Sequence, residues 1–539
     1  MMRDIYAKAE KVVVWLEEPA DAKWAMFLLT ELRFLKWATH PEEIARWLDM
    51  QRSVILDSNL AATKWKAFLE LLNHPWFERV WVIQELASAR SVDITYGGYR
   101  ISWRLFLTDL TIVHRDEMKD VFGLFQGSGV PGIPTPENDP LAPKNAVSMS
   151  EFRDLLSRGY YPPLHTVLVD FLGWKATHGV DKIFALLPLT DSAHSLKDLV
   201  DYSKPVREIL VGVSLHCIQK RDISFLNFAG IGWGNIGRDQ SHNDLPPWAV
   251  DWTVSRVPAS LAYRMGGEEA VLYNAALTEP QFFELAPEFY WVSLRGIRID
   301  SIQQIGPAET FKSNLDMRDV SGIDQMILWL ENYNHFIRQW VSDPYINKQS
   351  LSEAISRLLI GDRTAAARPA PESCRNHFAR MLSSIRAVKT FIDDHQGEYI
   401  SADISNDAVS KEFIEIMERW RAIIGSAHEA EVIFGQESFP RRVCVTKEGY
   451  LAAVPMHSQP GDIVVAIFAT SVPFVLRAAE AVECRGVGNA GGEDELSARE
   501  ASAPAGRMVY RLVGECYCHG MMDREAFELG HGQERFTII

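Results

Sequence analysis

The spacing of apolar side chains near the N-terminus switches between helical and strand-like periods. Residues 1–11 carry apolar positions at helical spacing, and the run Val12–Leu16 predicts a short buried strand. Residues 76–90, WFERVWVIQELASAR, predict one continuous helix, and the alternation in Val92–Tyr96 predicts a second strand that ends at two glycines. A strand, helix, strand order indicates an α/β unit with a parallel sheet and flanking helices.

The pattern changes after this unit, which we place at residues 1–125. Residues 126–150 are rich in proline and glycine and predict an irregular loop. Residues 151–260 predict a helical region that contains an extended PPWAVDW segment. Residues 261–430 predict a mixed, mainly helical region in which residues 288–305 predict a strand.

The C-terminal region, residues 431–539, has short apolar runs separated by the turn sequences KEG and QPGD. This pattern is typical of antiparallel strands. Residues 485–507 are rich in Gly, Ala, Ser and Glu and predict a disordered insertion. The expected fold is therefore α/β with an incomplete parallel sheet, then a helical region, then a β-rich region, and multidomain α+β overall.

The amino-acid composition makes several classes of binding partner unfavourable. The 55 basic and 71 acidic residues give a formal net charge of −16, which disfavours nucleic acid and anionic membranes as partners. No apolar run is long enough for a membrane span or a signal peptide. The six unevenly spaced cysteines do not resemble a secreted disulfide framework and indicate a reducing compartment. We therefore expect a cytoplasmic protein.

Several motifs resemble those of one fungal family. Residues 2–6, MRDIY, and residues 74–87, HPWFERVWVIQELA, resemble the "MRDIYSRAERVIVWLG" and "RPWFxRxWxxQE" stretches of heterokaryon incompatibility (HET) domains. Residues 181–187, DKIFALL, and the strands after residue 441 resemble segments that accompany this domain. The resemblance implies a role in non-self recognition and programmed cell death, a form of fungal innate immunity.

The resemblance also implies that the HET domain is truncated at its N-terminus. Members of the family carry segments such as "YxALSYxWG" and "WIDaiCINQ" before "MRDIY", and this sequence begins after them. The first strands of the sheet would then be missing. Two explanations are open: a gene model that starts too late, or an inactive truncated paralogue.

The candidate catalytic and binding residues lie in the segment that starts at His74. HET domains are distantly similar to Toll/interleukin-receptor (TIR) domains, in which a helical glutamate serves in NAD cleavage. The resemblance makes Glu85 the catalytic residue and Trp81, Trp76 and Arg79 the substrate-binding residues, with NAD as a substrate and no cofactor. Trp81 and Glu85 are four residues apart, so on a helix they share a face.

A structural interpretation of the same residues is also open. Aromatic residues at helical spacing are usually core, so Trp76 and Trp81 are expected to be buried, Arg79 to form a surface ion pair and Glu85 to face solvent. In this case the chain is a non-catalytic signalling module that self-associates or binds other incompatibility proteins. We expect no metal site, because the C-terminal CYCH sequence, residues 516–519, has no second ligand pair at zinc spacing.

Overall fold

The computed structural model describes residues 2–36, 46–47, 50, 59–113, 141–233, 245–255, 260–262, 273–286, 291–308, 320–364, 368–394, 441–479 and 508–539. The fold is mixed α+β with a β-rich C-terminal region, as predicted, and it divides into two compact units, Met1–Asp201 (unit 1) and Tyr202–Ile539 (unit 2). The predicted insertion at residues 485–507 and the first part of the predicted loop, residues 126–140, lie outside the described residues.

Unit 1 contains a small sheet and several helices. The helices are α1 Met2–Lys8, α2 Ala22–Lys36, α3 Asn59–Leu72, α4 Val80–Ser88, α5 Trp103–Val113, α6 Leu141–Ser157, α7 Leu164–Asp170 and α8 Asp181–Phe184, with 3-10 turns at Pro75–Glu78, Leu187–Leu189 and Lys197–Leu199. The strands are β1 Val12–Leu16, β2 Val92–Tyr96 and β3 Tyr99–Ser102. Helix α6 begins inside the range that the prolines predicted to be a loop.

The sheet of unit 1 has the order β1-β2-β3. Strand β1 is parallel to β2, with Val12 opposite Val92, and β3 returns antiparallel to β2. Both strands predicted from the sequence are confirmed. In β1 alternate residues are buried, as in Val14 and Leu16, which is the period of a half-buried strand, whereas β2 is buried at four of its five positions.

The predicted single helix over residues 76–90 is wrong, because the chain breaks at Arg79. A 3-10 turn ends at Glu78, Arg79 is extended with φ −83° and ψ 127°, and α4 starts at Val80. Lys175 causes the break: its backbone N–H donates to the Glu78 carbonyl at 2.6 Å, and its carbonyl accepts from Val80 N–H at 3.0 Å. A distant segment thus pairs with the backbone here, and local helical spacing cannot show this.

Unit 2 is built around a sheet with helices at its periphery. The helices are α9 Val206–Gln219, α10 Val320–Trp340, α11 Leu351–Leu359, α12 His377–Asp394 and α13 Glu525–Glu528. The strands are β4 Glu284–Ala286, β5 Trp291–Ile305, β6 Arg441–Thr446, β7 Leu451–Pro455, β8 Ile463–Ile467, β9 Phe474–Ala479, β10 Val509–Glu515, β11 Tyr517–Cys518 and β12 Gln533–Ile538. None of the described helices has both the length and the apolar character needed to cross a membrane.

The strands of unit 2 close into a ring. The path runs from β5 through β12, β10, β9 and β8, and β8 pairs again with β5. Strand β5 makes this closure possible because its 15 residues are long enough to pair with β12 along one part and with β8 and β6 further on. This strand is the one predicted at residues 288–305, within a range that is otherwise mainly helical, and most of the sheet it joins is C-terminal.

A fully buried ion pair lies inside unit 2. The guanidinium of Arg441 on β6 is 2.7 Å from the carboxylate of Glu515 at the end of β10, and both side chains have 0% exposure. Glu515 also accepts from Ser260 Oγ at 3.0 Å and from the Leu261 backbone N–H at 2.6 Å. Arg441 lies over the ring of Trp233, 5.0 Å from its centroid.

Candidate functional site

The 3-10 turn at Pro75–Glu78 fixes the first aromatic residue of the site. His74 caps the turn, because its Nδ1 accepts from the Trp76 backbone N–H at 3.2 Å, and Pro75 occupies the first position, where no N–H is needed. Trp76 and Phe77 are buried, and Asn145 Nδ2 donates to the Phe77 carbonyl at 2.8 Å. The turn is therefore held by its cap, by its core contacts and by α6.

Glu85 lies in the middle of α4 and is half-buried. Burial raises the pKa of Glu85 above its ordinary value of 4.5, while the charge of Arg79 and the nearby polar groups of Tyr6 and Trp76 lower it. Glu85 is thus a partly desolvated carboxylate with one cation and two potential hydrogen-bond donors near it.

Tyr6 is the site residue that sequence reasoning missed. Helix α1 packs on α4 and brings the side chain of Tyr6 near Glu85. Burial and the nearby charge of Glu85 raise the pKa of Tyr6 above 10.0, so the phenol keeps its proton at neutral pH. The only signal in the sequence was the position of Tyr6 inside the MRDIY motif, which gives no indication of its contact.

The structure brings three of the four proposed site residues together. Trp76 and Arg79 act on Glu85, and the Trp76 ring packs on those of Phe77 and Trp103, at centroid distances of 5.0 and 6.2 Å. Arg79 is exposed, at the start of α4. Trp81 is half-buried, one helical turn before Glu85. Trp76, which lies before the break at Arg79, also comes near the Glu85 carboxylate.

Gln84, next to Glu85, fastens α4 to a second segment of unit 1. Its side chain is buried, and its Nε2 donates to the Ala185 backbone carbonyl at 2.7 Å. This bond joins the WFERVWVIQE motif to the DKIFALL motif, which lies about a hundred residues further along the chain. Gln84 therefore points away from the carboxylate and anchors the helix that carries it.

The CYCH sequence belongs to the apolar core of unit 2. Cys516 and Cys518 are fully buried in one hydrophobic cluster, and burial raises the pKa of both thiols well above 9.0. His519 is also buried, with Tyr517 Oη 2.8 Å from its Nδ1 and Gln349 Oε1 2.9 Å from its Nε2. Burial lowers the pKa of His519 to about 3, so the ring is neutral at physiological pH.

The charges at the Glu85 site indicate which kind of ligand it could bind. A partly desolvated carboxylate can accept hydrogen bonds from ligand hydroxyls and can stabilise a positive charge that develops beside it. The exposed guanidinium of Arg79 offers planar donors that suit phosphate oxygens. The ligand that satisfies both groups carries hydroxyls, a cationic centre and a phosphate.

The fold and the site define a protein of two units, one with a carboxylate on a helix beside a small mixed sheet and one with a closed β-sheet. The family model "Heterokaryon incompatibility protein (HET)" matches residues 1–85, and the model "Het-6 beta-barrel domain" matches residues 291–490. The chain is a HET-domain protein. Tyr6, Trp76, Arg79 and Glu85 all lie within the first match.

One curated relative also aligns along the whole chain. It is "Heterokaryon incompatibility protein 6, OR allele" of Neurospora crassa, 22% identical over 601 aligned positions that cover 100% of this chain and 80% of the relative. No solved structure matches the chain.

Proposed function

We propose that this HET-domain protein is a fungal non-self recognition effector that triggers programmed cell death by cleaving NAD at Glu85. The name of the Neurospora relative supports the role in heterokaryon incompatibility. The parallel pairing of β1 with β2, with α4 in the connection between them, supports a TIR-like plan for unit 1. The described cysteines are free thiols, which supports action in the cytoplasm.

The proposed reaction is hydrolysis of the bond between ribose C1′ and the nicotinamide nitrogen. The bonding electron pair leaves with nicotinamide, water attacks C1′ and releases a proton, and the products are nicotinamide and ADP-ribose. The carboxylate of Glu85 holds the ribose hydroxyls and stabilises the positive charge that develops on the sugar. Arg79 binds the pyrophosphate, and the half-buried face of Trp81 packs against the ribose or nicotinamide ring.

A single observation carries this proposal: Glu85 is half-buried on α4, with the guanidinium of Arg79 and the polar groups of Tyr6 and Trp76 near its carboxylate. A glutamate that only made the helix soluble would point into water and need no such partners. Trp76 is 8% exposed, which leaves little of its ring for a substrate. In the proposed site Trp76 therefore lies beside Glu85 and does not contact the substrate.

Glu85→Gln should abolish NAD cleavage by the full chain. The amide keeps the size of the side chain but removes the charge, so the rate should fall by at least about a hundredfold. Release of nicotinamide and ADP-ribose, separated by chromatography, measures the effect. Glu151→Gln is the matched control, because Glu151 is an exposed carboxylate of α6 in the same unit and its loss should leave the rate unchanged.

The same variants expressed in a fungal host connect the chemistry to cell death. The wild-type chain should lower cellular NAD and kill, and Glu85→Gln should do neither. Equal killing by both proteins with unchanged NAD would reject the catalytic role.

A second candidate function, a non-catalytic association module, is favoured by the edge of β1. Strand β1 pairs with β2 along one side, and no other strand among the described residues pairs with it. Its outward residues Val13 and Trp15 are 46% and 64% exposed. An exposed apolar edge of this kind can pair with the same edge of a second copy.

Trp15→Lys should separate this candidate from the enzyme. If copies associate through β1, a buried lysine would weaken the contact, and light scattering should show a lower mass at equal concentration. Tyr99→Lys serves as the control, since Tyr99 is an exposed aromatic residue on β3 of the same sheet. A wild-type chain that is monomeric at all concentrations tested would count against association.

A further inference from the structure

We propose that Lys175 is a positioning residue for Arg79: its backbone holds Arg79 extended before α4, and its ammonium group pairs with Glu78, which leaves the Arg79 guanidinium for the pyrophosphate of the substrate. The inference rests on the proposed role of Arg79 in binding NAD. It gives a part in the site to a segment that lies beyond residues 1–85, the range that the HET family model matches.

Three hydrogen bonds join Lys175 to the residues on either side of Arg79. The Lys175 backbone N–H donates to the Glu78 carbonyl at 2.6 Å, the Val80 backbone N–H donates to the Lys175 carbonyl at 3.0 Å, and the Lys175 ammonium group donates to Glu78 Oε2 at 2.6 Å. Arg79 and Lys175 form a parallel β-bridge, in which Arg79 has φ −83° and ψ 127°. Because these bonds flank Arg79 on both sides, they fix its extended backbone.

The extended backbone keeps Arg79 off the helix that carries Glu85. Successive residues of an α-helix are about 100° apart around its axis, so residues six positions apart, such as Arg79 and Glu85, would be separated by about 120°. An unbroken helix would therefore place the guanidinium and the carboxylate on different faces. In the structure Arg79 lies before α4, and its charge lowers the pKa of Glu85. The break that Lys175 holds thus releases Arg79 from the helical spacing.

The ammonium group of Lys175 neutralises the carboxylate next to Arg79. Glu78 precedes Arg79 directly, and its 20% exposed side chain pairs with Lys175. No carboxylate among the residues that the structure describes forms an ion pair with Arg79. An unpaired Glu78 would compete for the guanidinium and would repel the negative charge of a pyrophosphate. The pairing with Lys175 removes both effects.

Other hydrogen bonds hold the turn and α4 independently of Lys175. Asn145 Nδ2 donates to the Phe77 carbonyl at 2.8 Å, and Gln84 Nε2 donates to the Ala185 carbonyl at 2.7 Å. A change in the side chain of Lys175 should therefore leave both elements in place. Its effect should be confined to the charge and the position of Arg79.

Lys175→Ala tests the role of the ammonium group. The KM for NAD should rise about two- to fivefold with little change in the turnover number, because an ion pair with a 70% exposed lysine contributes no more. Glu78→Gln in the Lys175→Ala background should bring the KM back to the wild-type range, since it removes the competing carboxylate. Steady-state rates of nicotinamide release measure both parameters. A purely structural role of Lys175 predicts no such rescue.

Lys197→Ala is the matched control, because Lys197 is another exposed lysine of unit 1. It should leave the KM unchanged. If Lys175→Ala lowered the turnover number and left the KM unchanged, or if Glu78→Gln did not restore the KM, the inference would be overturned.

Binding of inorganic pyrophosphate separates this inference from the proposed function. The probe contains no nicotinamide or ribose, so calorimetry on the full chain reports on anion binding without NAD cleavage. Arg79→Ala should remove most of the binding, Lys175→Ala should weaken it about two- to fivefold, and adding Glu78→Gln to Lys175→Ala should restore it. This pattern in a chain that does not cleave NAD would reject only the proposed function. Pyrophosphate binding that does not respond to Lys175→Ala would overturn the inference.

Lys175→Pro tests the role of the backbone. Proline has no N–H to donate to the Glu78 carbonyl, but it keeps the carbonyl that accepts from Val80. The KM for NAD should rise about five- to tenfold when Arg79 is present and should change little in the Arg79→Ala background. Equal rises in both backgrounds would contradict a role through Arg79. Lys175→Ala keeps the whole backbone, so its rescue by Glu78→Gln tests the inference even where the proline variant does not fold.

Discussion

Glu515→Leu should lower the free energy of unfolding by about 3–5 kcal/mol, the range for removing one partner of a buried ion pair. Arg441 has 0% exposure, so without Glu515 its charge would lose the carboxylate that offsets its desolvation. Ser260 Oγ and Leu261 N–H would lose their acceptor as well. Urea unfolding and, separately, calorimetry of the full chain measure this loss of stability.

Two further variants test whether the unpaired charge of Arg441 causes this loss of stability. In Arg441→Met with Glu515→Leu, both charges are gone and much of the stability should return, because apolar side chains can replace a buried pair at little cost. Glu534→Gln is the control for a surface pair: Glu534 faces Arg298 with both side chains about 40% exposed, and we expect a loss under about 1 kcal/mol. A loss from Glu515→Leu no larger than this would contradict the prediction.

Gly97→Ala should destabilise unit 1 by about 2–4 kcal/mol, as strain and overpacking add. Gly97 and Gly98 form the two-residue turn between β2 and β3, with φ of +56° and +79°, a conformation that favours glycine. An added Cβ at Gly97 would also meet the Cβ of Ala22 at 2.1 Å. Neither the turn nor the start of α2 can move without disturbing the sheet.

A matching substitution at Gly98 separates the cost of backbone strain from the cost of the clash with Ala22. At Gly98 an added Cβ has nothing within 4 Å, so Gly98→Ala should cost only the backbone strain, about 1–2 kcal/mol. Chemical unfolding of the full chain followed by tryptophan fluorescence compares the two variants. Equal losses at both positions would show that the contact with Ala22 relaxes freely.

Short-range patterns predicted the parts of this fold that local spacing decides. The alternation in β1 and β2 gave both strands of unit 1, and turn sequences gave the β-rich C-terminal region.

Short-range sequence patterns predicted only part of the candidate site. The motif around Glu85 pointed to α4 and to Trp76 and Arg79, which lie near its carboxylate. The neighbouring Tyr6 could not be found, because it lies 79 positions earlier in the chain and approaches only when α1 packs on α4. Trp81 and Glu85 do lie on one helix, because the break at Arg79 comes before both; that break depends on Lys175, about a hundred residues further along the chain.

The sequence by itself determined the strands of unit 1, the helix that bears Glu85 and the family, because these depend on periodicity and motifs within short windows. Only the tertiary structure decided the break at Arg79, the closure of the β-ring through β5 and the pairing of Arg441 with Glu515. The physical reason is the same in each case. Backbone pairing and charge burial join residues far apart in the chain, and no local pattern encodes which distant segment will supply the partner.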